Sequence, residues 1–208
     1  MRPGRASVAC MNTNAPMHDL IAFILEIDRL KGVTRQTRPA GMERMENSAE
    51  HSWQIAMMAL ALAPHAAGPV DIDRVVRMLL VHDIGEIDTG DTLVYVEDGW
   101  AERKAAELAA VRRIFGLMPP EQAAPFVALW EEFEAEHTPE ARFAHAIDRA
   151  MPVLLNLASG GRSWRDNGVS HARVVRRIAE PIRQGCPALW AHLERELESA
   201  RHRGFFSE

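Results

Sequence analysis

Apolar residues in this chain recur at helical spacing, and proline or glycine interrupts the pattern at short intervals. The first run, residues 17–31, has apolar side chains three and four positions apart and ends at Gly32. No run of alternating apolar and polar residues indicates a set of strands. The spacing therefore predicts an all-α protein. The predicted helices lie at about 17–31, 47–64, 71–82, 100–115, 120–135, 139–158, 169–183 and 187–202.

Several side chains mark where these helices begin or bend. Asn47 is a good N-cap, and Glu50 three positions later completes a capping box. Either Asp71 or Asp73 caps the next helix. Pro152 predicts a kink in the helix that contains it, because proline removes one backbone hydrogen bond. The polar segments at 33–47 and 87–99 predict loops.

Composition restricts the class of protein. The 208 residues contain 47% hydrophobic and 25% charged side chains, which is ordinary for a globular protein, and the net charge of -5 argues against binding nucleic acid. No stretch approaches the roughly 20 apolar residues that cross a membrane. Two cysteines, Cys10 and Cys186, are too few for a disulfide framework, so we expect a cytoplasmic protein.

The N-terminal segment differs from the rest of the chain. It is basic and lacks the long apolar core of a signal peptide. We therefore expect a disordered leader at residues 1–15, followed by one folded domain at 16–208.

His82 and Asp83 are the first candidate metal ligands, because imidazole and carboxylate both bind divalent cations. His51 and Asp148 complete a set of two nitrogen and two oxygen ligands, which suits one Mn, Co, Zn, Fe or Ni ion with water in the remaining positions. Such an open site is what hydrolysis requires. Each residue alone also has an ordinary explanation: His51 as a hydrogen-bonded histidine, and Asp148 as an ion pair with Arg149.

The order His51, His82-Asp83, Asp148 resembles the signature of the HD-domain metal-dependent phosphohydrolases. The blocks at 46–53 and 80–91 are similar to the 5′-deoxynucleotidase branch, and the resemblance covers about residues 17–200. It implies one compact helical domain, one divalent metal and a small nucleotide substrate, a deoxynucleoside 5′-monophosphate. It also implies a homodimer, with residues 154–157 and the C-terminal helix as a candidate dimer face.

Two further carboxylates are candidates for proton transfer. Glu86 lies one helical turn beyond His82 and can exchange a proton with a water or with a leaving oxygen. Asp91 matches the aspartate of the family's Gly-Asp pair. The alternatives are a solvated glutamate at a helix end and, for Asp91, a residue that forms the turn beside Gly90.

Arg35 and Arg44 precede His51 and are the candidate substrate-binding residues, since a guanidinium group binds phosphate with two hydrogen bonds. Both are also compatible with ordinary surface charges. In the nucleotidase branch an aromatic residue follows the arginine, whereas Gln36 and Thr37 follow Arg35 here. This departure bears on the selectivity for deoxyribose.

Two other functions remain open from the sequence. His137 and His145 are candidate ligands of a second metal, as in two-metal HD-type phosphodiesterases or oxygenases. A regulatory domain that binds nucleotide without hydrolysing it is the other alternative. Among the tryptophans, Trp100 is the candidate for contact with a nucleobase, because it follows the loop after the His-Asp pair.

Overall fold

A computed structural model of the protein describes residues 17–92 and 99–207, and within them the chain forms helices and no strands. The prediction of an all-α fold is confirmed. The predicted leader at 1–15 lies outside the described residues, and no helix in the described part is long and apolar enough to cross a bilayer. The helices are α1 (Met17–Asp28), α2 (Ser48–Leu62), α3 (Ile72–Val81), α4 (Glu86–Thr89), α5 (Trp100–Phe115), α6 (Pro120–Ala135), α7 (Pro139–Ala158), α8 (Arg162–Asp166), α9 (His171–Gly185) and α10 (Pro187–His202), with short 3-10 turns at Arg29–Gly32 and Ala63–His65.

Helix α7 is at the centre of the fold and packs against α2, α3, α6, α9 and α10. Its buried side chains include the small residues Ala144 and Ala146, so neighbouring helices can approach closely. Helix α9 approaches α7 closely at Gly185, where an added Cβ would lie 2.2 Å from the carbonyl oxygen of Arg142. Helix α7 continues past Pro152 to Ala158, so the proline does not end it.

The predicted boundaries are largely confirmed. Asn47 caps α2 in a capping box with Glu50, and Asp71 rather than Asp73 caps α3. The limits of α5, α6, α7 and α10 agree with the predicted helices. Two short helices were not predicted: α8, and α4, which occupies the start of the predicted loop at 87–99. Residues 93–98 of that loop lie outside the described part of the chain.

The loop before α2 is closed at its base. Thr34 and Asn47 form an antiparallel bridge, and the amide of Arg35 donates to the carbonyl of Glu46 at 2.9 Å. The hydroxyl group of Ser163 in α8 donates to the carbonyl oxygen of Gln36 at 2.5 Å and connects the loop to α8. The loop therefore holds Arg35 and Glu46 next to each other beside the start of α2.

The C-terminal residues pack against α8. The rings of Phe206 and Trp164 are stacked with centroids 4.5 Å apart. In the candidate dimer face at 154–157, Leu155 and Asn156 are each only 3% exposed. These two side chains belong to the interior of the domain and are not available to a second copy, because the core encloses them. The homodimer itself stays a prediction.

Candidate metal centre

The four predicted metal ligands meet in the interior of the domain. His51 comes from the first turn of α2, His82 and Asp83 follow the end of α3, and Asp148 lies in α7. Oδ1 of Asp148 is 3.1 Å from Nε2 of His51 and 3.7 Å from Nε2 of His82. His51, His82 and Asp83 each offer a ligand atom, and these atoms lie within 4.8 Å of one another. Three separate helical segments thus supply two imidazoles and two carboxylates to one point.

The hydrogen bonds of His82 fit a metal ligand. Its Nδ1 donates to the carbonyl oxygen of Leu79 at 2.9 Å, which leaves the lone pair on Nε2. Nε2 is buried and lies 3.0 Å from Oδ1 of Asp83, but it makes no hydrogen bond to any described residue. A buried nitrogen lone pair beside carboxylate oxygens is satisfied by a cation. The donor set therefore fits a divalent metal.

Glu46 is a site residue that sequence reasoning missed. Its side chain is fully buried, accepts a hydrogen bond from Oγ1 of Thr37 at 2.9 Å, and places Oε2 at 3.6 Å from Nδ1 of His51. Nε of Arg35 lies 3.5 Å from the same carboxylate oxygen. Glu46 thus orients both a ligand histidine and an arginine. Its only signal in the sequence is its place in the block at 46–53.

Opposite charges dominate the electrostatics of the ligands. Burial raises the pKa of Asp83, but His82 and Arg35 outweigh it and hold that pKa below its usual range. The pKa of Asp148 is likewise low, because its contacts with His51 and His82 overcome burial. Without a bound ion, burial disfavours the charged form of His82, yet the two aspartates raise the pKa of His82 to about 10, so a proton then occupies the place on Nε2 that a metal would take. The centre attracts positive charge.

The pKa values of Glu86 and Asp91 are raised, whereas those of Asp83 and Asp148 are lowered. Burial and the nearby charge of Asp83 raise the pKa of Glu86 well above its usual value. Oγ of Ser48 donates to Oε2 of Glu86 at 2.6 Å and fixes the carboxyl group at the start of α2. Burial also raises the pKa of Asp91. A carboxyl that retains its proton beside ionised aspartates can act as a general acid.

The structure brings one of the two predicted substrate-binding arginines to the centre. Nη1 of Arg35 donates to Oδ2 of Asp83 at 2.7 Å and lies 3.6 Å from Oδ1 of Asp91. Arg44, in contrast, does not line the cavity: its side chain is 53% exposed and pairs with Glu50. Glu50 is the N3 residue of the capping box, and its carboxylate accepts hydrogen bonds from the Asn47 amide and from Arg44.

A cavity of about 310 Å³ opens beside these ligands. One wall carries Arg35, Gln36 and Thr37 from the loop before α2. The other walls come from α5, α7, α8 and α9, and Trp100 lies at the beginning of α5. The volume is in the range of pockets that hold small organic molecules. Polar and charged side chains from distant parts of the chain thus surround a space next to the metal ligands.

Neither of the two histidines considered for a second metal joins the group of metal ligands in the described part of the chain. His145 lines the cavity, but its Nε2 donates to the carbonyl of Phe133 at 2.8 Å and its ring stacks on that of Phe133. His137 is exposed between α6 and α7 and does not line the cavity. In the described part of the chain, the group of candidate metal ligands contains neither histidine. The geometry therefore favours a single centre.

Several known proteins are similar to this chain in sequence. A family model described as HD domain matches residues 27–190. A human protein named 5′-deoxynucleotidase HDDC2 is 29% identical over 136 residues, which are 65% of this chain and 65% of that protein. The chain thus spans slightly less than two thirds of the human relative. The 5′-deoxynucleotidase YfbR of Escherichia coli O1:K1 / APEC is 30% identical over 152 residues, 68% of this chain and 76% of that protein.

A solved structure is similar over nearly the whole domain. It is the crystal structure of a "Predicted metal-dependent phosphohydrolase" from Magnetospirillum magnetotacticum MS-1, with a TM-score of 0.85 and 43% sequence identity, and the match covers 92% of this chain and 98% of that one. The resemblance to the HD-domain phosphohydrolases is thereby confirmed, and residues 27–190 of the family model span positions 51, 82, 83 and 148. The chain belongs to the HD domain family.

Proposed function

We propose that this protein is a metal-dependent phosphomonoesterase that removes the 5′-phosphate of nucleoside monophosphates. One observation carries the proposal: a buried set of two imidazoles and two carboxylates borders a cavity that also contains a carboxyl group with a raised pKa, Glu86. The relatives named 5′-deoxynucleotidase support the substrate class, and the solved relative supports phosphoester hydrolysis.

In this proposal His51, His82, Asp83 and Asp148 hold one divalent ion. The bound ion supplies Lewis-acid activation of water and positive charge for the phosphate. Mn, Co, Zn, Fe and Ni all accept such a mixture of nitrogen and oxygen ligands, so the identity of the ion is a matter for experiment.

Glu86 is the residue proposed to move protons. Hydrolysis forms a bond between the water oxygen and phosphorus and breaks the bond between phosphorus and the 5′ oxygen. The leaving 5′ oxygen requires a proton, and the raised pKa of Glu86 keeps one available on a carboxyl group held by Ser48. Asp91, also buried and with a raised pKa, is placed across Arg35 to orient the attacking water.

The proposal is tested by release of inorganic phosphate from a panel of ribonucleoside and deoxyribonucleoside 5′-monophosphates, with Mn, Co, Zn or no added metal. We expect release that depends on the added ion. The panel also measures the preference for deoxyribose, on which Gln36 and Thr37 bear because they line the cavity.

The matched variant is Glu86→Gln, which removes the proton but retains the size of the side chain. It should lower kcat by a factor of about 10² to 10⁴ while the metal content stays unchanged. Equal activity of Glu86→Gln and the wild-type protein would contradict the assigned role. No phosphate release with any ion would instead favour the regulatory, non-catalytic alternative.

A further inference from the structure

The cationic side chains of the cavity differ in whether they already have a partner. Arg35 is bonded to Asp83 at 2.7 Å. Lys104 bridges Glu107 and Glu134 at 2.7 and 2.9 Å. These charges are neutralised by the protein itself. Two other arginines of the cavity also have contacts: Nε of Arg149 lies 4.0 Å from Oδ2 of Asp148, and the guanidinium of Arg177 lies 5.3 Å from the centre of the Trp100 ring.

Arg103 is different. It is half-buried in the first turn of α5 and lines the cavity, yet its buried Nη1 has no hydrogen-bond partner among the described residues. A buried donor on a charged group is costly when it is unsatisfied, so its burial in a cavity wall indicates a ligand that accepts the bond.

The packing of α5 sets the position of Arg103 relative to the metal ligands. Gly85, two residues after Asp83, touches the backbone of Glu107: a Cβ added at Gly85 would lie 2.9 Å from the carbonyl oxygen of Glu107. Arg103 precedes Glu107 by four residues on the same face of α5, which is about 6 Å along the helix axis. The guanidinium group of Arg103 is therefore within a side chain's reach of the space in front of Asp83.

The charges at the metal centre favour a further cationic side chain near the phosphate of the substrate. A phosphomonoester carries about two negative charges near neutral pH. The proposed divalent ion lies beside the carboxylates of Asp83 and Asp148, and the charge of Arg35 is already shared between Asp83 and Asp91. Arg44, the second arginine predicted to bind phosphate, does not line the cavity.

We propose that Arg103 binds the phosphate group of the substrate, in the place that sequence reasoning gave to Arg44. This proposal rests on the proposed function, since it names the residue that recognises the phosphate in the same cavity. A guanidinium group suits the task, because its N–H groups match the spacing of phosphate oxygens.

The first test uses steady-state kinetics of the metal-loaded protein with a nucleoside 5′-monophosphate. Arg103→Gln should raise KM by about 10- to 100-fold, the usual loss for a hydrogen bond to a charged group, and Arg103→Lys should recover part of it. The matched control is Arg112→Gln on the same helix, where the side chain is 61% exposed and pairs with Glu131. Equal KM values for Arg103→Gln and the control would overturn the proposal.

The second test measures binding without turnover. Calorimetric titration of the metal-loaded protein with inorganic phosphate should show affinity weakened about 10-fold or more in Arg103→Gln, whereas a nucleoside that lacks phosphate should bind both proteins equally. Equal loss for the nucleoside would assign Arg103 a structural role and overturn the proposal. If the wild-type protein releases no phosphate from nucleotides, the proposed function fails, but the titration with inorganic phosphate still decides the role of Arg103.

Discussion

Asp148 is the carboxylate through which the two imidazoles of the centre are connected. One oxygen, Oδ1, lies within 3.7 Å of Nε2 in both His51 and His82. Removal of this carboxylate leaves the two rings without their shared partner. A metal held by the four ligands then loses one oxygen ligand and part of the negative charge that attracts it.

We therefore expect Asp148→Ala to lower both the metal content and the phosphatase activity, by about 10-fold or more in metal affinity. Metal analysis after dialysis gives the first quantity and phosphate release the second. Asp166→Ala is the control, because Asp166 is 50% exposed and pairs with Arg38 away from the ligands. Full metal occupancy in Asp148→Ala would refute the ligand role.

The sequence was most informative for residues whose chemistry defines a motif. His51, His82, Asp83 and Asp148 were predicted from residue type and order, and the structure brings them together. Glu46 was not predicted, because its role depends on a neighbour that only the folded loop provides. Nothing in the polarity of a glutamate shows that it is fully buried beside a histidine.

Arg44 and Arg103 also show what could not be predicted from the sequence. Arg44 is close to His51 in sequence but turns outward to Glu50, whereas Arg103 is distant in sequence and reaches the cavity. Sequence separation is a poor guide here, because Arg44 lies in the loop before α2, where it pairs with Glu50, while the packing of α5 brings Arg103 to the cavity.

At the scale of helices, the contact between α7 and α9 requires a glycine at position 185. An added Cβ at Gly185 would lie 2.2 Å from the carbonyl oxygen of Arg142 and 2.6 Å from the Cβ of Ala146. Both neighbours are held in α7, so the overlap is relieved only by moving one helix away from the other.

Gly185→Ala should therefore lower the free energy of unfolding by about 1–3 kcal/mol, because it overpacks the junction of α7 and α9. Urea denaturation followed by circular dichroism measures the change. The control is Gly68→Ala, where an added Cβ would have no atom within 4 Å. If the two variants are equally stable, the close packing of these helices is not what requires glycine at 185.

Long helices were predicted well because their boundaries carry local signals. Proline begins α6, α7 and α10, and Asn47 caps α2, so the chain itself marks these ends. The short helices α4 and α8 carry no comparable signal and have too few residues to show a periodic pattern. They depend on packing: α4 lies against α5, and the ring of Trp164 in α8 stacks on that of Phe206.

At the scale of the molecule, the metal centre joins parts of the chain that are far apart in sequence. His51, Asp83 and Asp148 come from three segments of the fold, and their side chains are almost entirely buried. Without a cation, the domain must keep the carboxylates of Asp83 and Asp148 close to each other in its interior. An ion that binds the folded chain and not the unfolded one stabilises the fold by mass action.

Removal of the metal with a chelator should therefore lower Tm, by about 5 to 10 °C at an ion concentration about 100 times its Kd. Differential scanning fluorimetry with and without chelator measures the shift, and added Mn, Co or Zn should restore the original value. Asp148→Ala provides the control, because a chelator should shift its Tm much less. An equal shift in both proteins would show that the stabilising ion is bound elsewhere.

The closed base of the loop before α2 has a consequence for engineering. Since Thr34 and Asn47 are paired, the chain enters and leaves this loop at nearly the same place. A segment with such neighbouring ends can be exchanged as a cassette without moving the helices that flank it. Gln36 and Thr37 lie within the cassette and line the cavity, while all four proposed metal ligands lie outside it on other helical segments. An exchange that keeps Arg35 and Glu46, which contact Asp83 and His51, therefore changes the cavity wall at Gln36 and Thr37 and leaves the metal ligands in place.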